Sequence, residues 1–177
     1  MKSHKKNLQF SIVILFTSAI ISFPLTSMAN KSVYGYLEPV TLAAKQVTLT
    51  AKLDTGAETA SLSARNIQLY EKEGQEYVKF IVAHPELEQA HHYNLPLARH
   101  ARIKKRANDR IDKSSHNTRP VVEMKIHFDD KQHEIMVNLI DRSHFSTPML
   151  LGRKALEKMG ALVDSTQENT LLEETDS

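Results

Sequence analysis

Leu53-Asp54-Thr55-Gly56-Ala57 is the stretch of this chain whose residue types could do chemistry. An alternating apolar run, Val47, Leu49, Ala51 and Leu53, leads straight into it. A period of two marks a half-buried strand, so Asp54 falls where that strand turns, next to one of only five glycines in the protein. Burying a charge is costly unless it is paired or hydrogen-bonded. Thr55 can offer a hydroxyl, and Gly56 lets backbone come close. Such surroundings suit a carboxylate that passes protons to and from a water. A simpler reading is also open, in which a strand-end aspartate forms a turn with its Thr and Gly.

A second motif lies much further along. Pro148-Met149-Leu150-Leu151-Gly152-Arg153-Lys154-Ala155-Leu156 reads as an apolar strand, a glycine, an arginine and the start of a short helix. Between the two sit Arg119-Pro120-Val121-Val122 and Asp141-Arg142-Ser143. In this order the four motifs resemble the retropepsin-like aspartic peptidases, and most closely a bacterial branch that carries the label ATP-dependent zinc protease. The resemblance covers about residues 33–163. It implies an all-β fold, a small retropepsin-like (acid protease) closed barrel with one short C-terminal helix. It also implies aspartic endopeptidase chemistry on a peptide or protein substrate, with Asp54 as catalytic acid/base. Thr55 and Gly56 would orient Asp54. Ala57 would lie close to the carboxylate without a hydroxyl to donate, and Leu150 to Arg153, including Gly152, would support the loop from behind.

Peptide hydrolysis by aspartates needs two carboxylates facing one water, one ionised and one protonated, because like charges so close cannot both ionise. This chain carries one Asp-Thr-Gly. The resemblance therefore implies a homodimer in which each subunit supplies Asp54 at a two-fold axis. Asp141 is the other acid of local interest, and beside Arg142 it reads as a structural salt bridge or turn. The zinc label finds little support. No His-Glu-x-x-His and no Cys is present, and the adjacent His91 and His92 would point to opposite faces of a strand. His84, His91, His92 and His100 could still gather as ligands in a loop, but no metal site is expected. There is no Gly-x-x-x-x-Gly-Lys loop for ATP and no Gly-x-Ser-x-Gly elbow for serine catalysis. No cofactor is expected.

The elements around these motifs are mostly strands. Val33–Val40 favours β structure, and Pro39 argues for an edge or strand end. Gln46–Leu53 and Tyr77–Ala83 alternate. Residues 120–140 predict a hairpin about Asp129-Asp130-Lys131-Gln132. Arg153–Met159 predicts a helix stopped by Gly160, with Ala161–Val163 as a last short strand. The segment 84–118 is rich in His, Lys and Arg with little apolar periodicity. It reads as a long loop, either a flap or rim over the site or a solvated insertion. Its basic run Arg99–Arg110 could guide an acidic peptide or an anionic envelope polymer, or could be a solvated face. Residues 165–177 are polar and acidic and read as a disordered tail, which leaves 30–164 as the domain.

Lys2, Lys5 and Lys6, the apolar run Leu8–Phe23 and the small residues of Ser27-Met28-Ala29 predict a signal peptide over 1–29, cleaved after Ala29. The other reading is an uncleaved anchor, although the apolar core is shorter than the ~20 residues of a full span. Cleavage would leave a periplasmic or secreted chain with no membrane span. Loss of three lysines would turn the formal charge of +2 into a slightly negative one. That removes the case for nucleic acid. Without cysteine, an exported fold must rely on packing and hydrogen bonds. A rival function also stands: a catalytically silent module of this fold that binds or regulates in the cell envelope.

Overall fold

The protein is described by a computed structural model, over residues 31–102 and 118–173. The expected signal peptide and the middle of the basic segment lie outside these residues.

Among the described residues ten strands and two short helices follow one another: β1 (Ser32–Gly35), β2 (Leu37–Leu42), β3 (Val47–Asp54), β4 (Ala60–Lys72), β5 (Gln75–Val82), β6 (His91–Arg102), β7 (Thr118–Phe128), β8 (Lys131–Ile140), β9 (Met149–Gly152), α1 (Arg153–Met159), β10 (Ala161–Asp164) and α2 (Thr170–Glu173). Eight strands form one sheet in the order β2-β3-β9-β4-β5-β6-β7-β8. Further pairings of β2 with β7 and of β4 with β8 close it on itself. Closure removes most free edges, the liability of an all-β domain. The expected small closed barrel is what forms.

The period-two pattern places the core. Val47, Leu49, Ala51 and Leu53 point inward from β3, and Ile126, Phe128, Ile135, Val137 and Leu139 from the β7–β8 hairpin. That hairpin turns on Asp129 and Asp130, both at positive φ, the backbone a two-residue turn needs to match the strand twist. Pro39 lies on β2 opposite Thr50 of β3, while the β7 side of β2 is paired only at Thr41 and Leu42. Its missing N–H therefore goes unneeded. Helix α1 ends as its glycine suggests, with Gly160 at φ 66° and its N–H returned to Glu157 O.

Three features differ from the sequence expectation. Strand β4 was not foreseen. Its inward residues, Ala60, Leu62 and Ala64, are mostly too small to stand out between serines. The basic segment is not a loop throughout, because His91–Arg102 forms β6 between β5 and β7. Tyr93 and Leu97 bury their side chains there with the half-buried Leu95 between them, and the His and Arg that flank this stretch mask a genuine alternation. The tail reading fails for residues 165–173, which turn back onto the barrel and end in α2. Backbone bonds from Tyr36 N to Gln167 O and from Asn169 N to Leu37 O hold this segment, together with Glu38, wholly buried, whose carboxylate accepts from Gly35 N, Thr170 N, Thr170 Oγ1 and Leu171 N at 2.6–3.2 Å.

Four donors on one buried carboxylate make Glu38 the tie between the first strands and the end of the domain. Glu38→Ala should cost about 2–4 kcal/mol, since it leaves buried donors unmatched. Chemical denaturation measures the loss, and limited proteolysis should cut first in 165–173.

Candidate active site

Strand β3 runs through the sheet beside β9 in parallel, with Leu53 opposite Leu151 and Asp54 opposite Gly152. Register sorts the residues by face. Leu53, Leu62, Met149 and Leu151 pack into the core. Lys52, Leu150 and Ser61 form one register row on the other face, and Asp54 and Gly152 form the next. The sheet thus presents Asp54 on a polar surface backed by apolar side chains.

The chain then turns sharply. Asp54 Oδ1 accepts from Gly56 N at 2.9 Å and Ala57 N at 3.2 Å. Oδ2 lies 4.0 Å from Lys52 Nζ. One carboxylate oxygen is thus held by backbone and the other left open, with the side chain 28% exposed. The simpler reading, a strand-end turn, describes the local backbone, in which Ala57 reaches the carboxylate through its N–H.

The segment from β9 into α1 braces this turn from behind. Arg153 N donates to Ala57 O at 2.8 Å, and Lys154 N to Glu58 O at 3.1 Å. The Arg153 guanidinium reaches Thr55 O and Gly56 O, both at 3.1 Å. Gly152 allows the approach: a Cβ there would lie 2.7 Å from both Thr59 N and Thr59 O. Asn138 on β8 fixes the far end of the loop, giving its amide to Thr59 Oγ1 and Ala60 O at 2.8 Å. Gly152 and Arg153 were legible from the sequence; Lys52, Ser61 and Asn138 were not, because only strand register brings them to this face.

Asp141 and Arg142 do not pair with each other, so the salt-bridge alternative fails, while the turn alternative forms, with Ser143 N on Asp141 Oδ1 at 2.9 Å and Phe145 N on Arg142 O at 2.8 Å. Asp141 stays outside, where the Ser143 backbone N–H holds its carboxyl below the usual range and Arg65 lies 3.8 Å away. Arg142 turns inward, with Nε on Thr147 O and Nη1 on Ser61 Oγ. Burial pulls its guanidinium down from the ordinary value, and the charge of Asp54 pushes it back up. The histidines do not assemble. His84 bonds Phe145 O and Glu86 N, and among the described residues no group of His, Asp or Glu is gathered to hold a metal.

A model of the RimB-like family, described as retropepsin-like aspartic endopeptidase RimB, matches residues 33–174. The chain belongs to this family. Among solved structures, that of a Legionella pneumophila protein of unknown function is similar to this RimB-like chain. The TM-score is 0.65 at 35% identity, and the match covers 80% of this chain and 98% of that one. Among curated proteins, a probable alpha-L-glutamate ligase of Desulfotalea psychrophila is 30% identical over 112 residues, 61% of this chain. The match spans only 22% of that relative's length.

The brace predicts its own failure. Gly152→Ala should push the Thr59 backbone away and cost roughly 1–3 kcal/mol, the usual penalty of overpacking. Amide exchange should show lost protection at Gly56 and Ala57 while the β7–β8 hairpin stays protected.

Proposed function

We propose that this RimB-like protein is an aspartic endopeptidase that works as a homodimer, each chain supplying Asp54. The observation that carries the reading is the hold on Asp54, one oxygen on two backbone amides and the other open, in a loop braced by Gly152 and Arg153. Two such carboxylates across a two-fold axis would share one proton, so one acts as base on the water and the other as acid.

Charge supports acidic peptides as the substrate class. Lys52 and Arg142 flank Asp54. Arg99, Arg102 and Arg119 line a pocket beside Thr59 and Asn138, where Glu58 pairs with Lys154 at 2.7 Å and leaves the three arginines in excess. Cations gathered at a cleft raise the local concentration of anionic substrate. A relative named as a probable alpha-L-glutamate ligase supports glutamate-bearing peptides within that class.

Asp54→Asn should keep the fold by circular dichroism and lower kcat at least about a hundredfold, because an amide cannot serve as base. EDTA should leave the wild-type rate intact. Activity per chain should fall on dilution, since only dimers are competent. An active protein that sediments as a monomer contradicts the dimer, and a dimer without activity favours the silent binding module.

The proposal includes export. The features of Lys2–Ala29 support cleavage before Asn30 and a periplasmic or secreted product. Among the described residues no helix is long and apolar enough to cross a membrane. Intact-mass measurement on an envelope fraction should find a chain starting at Asn30; a full-length chain in the membrane would support the anchor instead.

A further inference from the structure

The Asp54 face carries a cation that the fold does not neutralise. Arg142 is only 4% exposed. Nε donates to Thr147 O at 3.1 Å and Nη1 to Ser61 Oγ at 2.9 Å. Nη2 donates to no described residue, and Arg142 takes part in no ion pair among them. The one fully buried side-chain polar atom without a partner among the described residues is Tyr93 Oη, so Nη2 keeps contact with solvent. The Phe145 ring lies 4.6 Å over the guanidinium and is itself 53% exposed.

The place of this cation matters as much as its lack of a partner. Ser61, which holds Nη1, is the register neighbour of Leu150, and Leu150 is the neighbour of Lys52. Lys52 and Asp54 stand two apart on one strand and so share a face. Asp54 is the charged group whose field reaches Arg142. A buried guanidinium without a carboxylate costs free energy that a hydrogen-bonded anion would recover. Two of its nitrogens are fixed and the third is free, so it can receive an anion in one orientation with little further loss of side-chain freedom.

We propose that Arg142 is a specificity-determining residue, whose Nη2 binds the carboxylate of an acidic side chain flanking the scissile bond while Phe145 packs against that side chain's methylenes. The placement beside the scissile bond rests on the peptidase reading; the recognition of a carboxylate is tested without it. Arg suits this role better than Lys because its planar fork can stay anchored to Ser61 and Thr147 while it donates outward.

The experiment uses the full chain carrying Asp54→Asn and two labelled peptides, one with a single central Glu and the other with Gln in its place. Fluorescence anisotropy should show the Glu peptide bound at least about tenfold more tightly. Adding Arg142→Met should bring the two peptides to near equality, and Arg142→Lys should leave a reduced preference. Thermal unfolding checks each variant. If Arg142→Met does not fold, Arg142→Lys decides, and an undiminished preference there overturns the assignment. No Glu preference in the parent, or one that survives Arg142→Met, also overturns it. Hydrolysis by the Asp54 protein is measured separately. Binding preference without any hydrolysis sinks the peptidase reading and leaves Arg142 as a carboxylate reader. Hydrolysis without preference for Glu does the reverse.

Discussion

The contact on which the site depends is the one between the backbone of Gly152 and the backbone of Thr59. A sheet pairs strands at a fixed spacing, but a loop crossing a strand end can come closer only where no side chain intervenes. Gly152 supplies that gap, and a Cβ there would sit 2.7 Å from backbone atoms. Because the loop lies so close, the first amides of α1 reach its carbonyls and Arg153 reaches two more. The turn that holds Asp54 is therefore gripped from one side by its own amides and from the other by a segment distant in sequence. Neither grip alone would keep a partly buried carboxylate in a single orientation.

Charge on the two faces of this sheet is unequal, and the cause is strand register. The inner face packs Leu53, Leu62, Met149 and Leu151. The outer face collects Lys52, Asp54 and Ser61, with Arg142 laid over it. Since successive side chains alternate, one slip of register would exchange the two sets. The apolar set pins the register because burying it is favourable, and the polar set is delivered as a consequence. Core packing and site assembly are thus one constraint.

The same economy appears at the end of the domain. Without cysteine, the terminal segment cannot be stapled covalently. Glu38 does the work with four hydrogen bonds to Gly35, Thr170 and Leu171. A carboxylate bonded to several backbone donors needs no cation to be stable when buried.

Local sequence determined a good deal of this protein. Alternation in 47–53 and 122–139, the Asp-Asp turn and the Gly160 stop each fixed an element, because short-range backbone preference and side-chain period suffice there. The motifs at Asp54–Ala57 and Leu150–Arg153 also pointed to one another through a family resemblance. What stayed hidden was whatever depends on neighbours across the sheet. Strand β4 buries mostly small side chains, so its pattern is faint until β8 and β9 flank it. Strand β6 carries His and Arg on either side of its buried residues and looks like a loop until β5 and β7 take up its backbone. Asp141 and Arg142 are adjacent and opposite in charge, yet they part, because consecutive side chains leave the chain in different directions and only one of them finds Ser61 and Thr147. Sequence determined the carboxylate and the glycine that make the site possible; tertiary structure decided which cations surround it, because register and closure of the barrel bring them there from strands far apart in the chain.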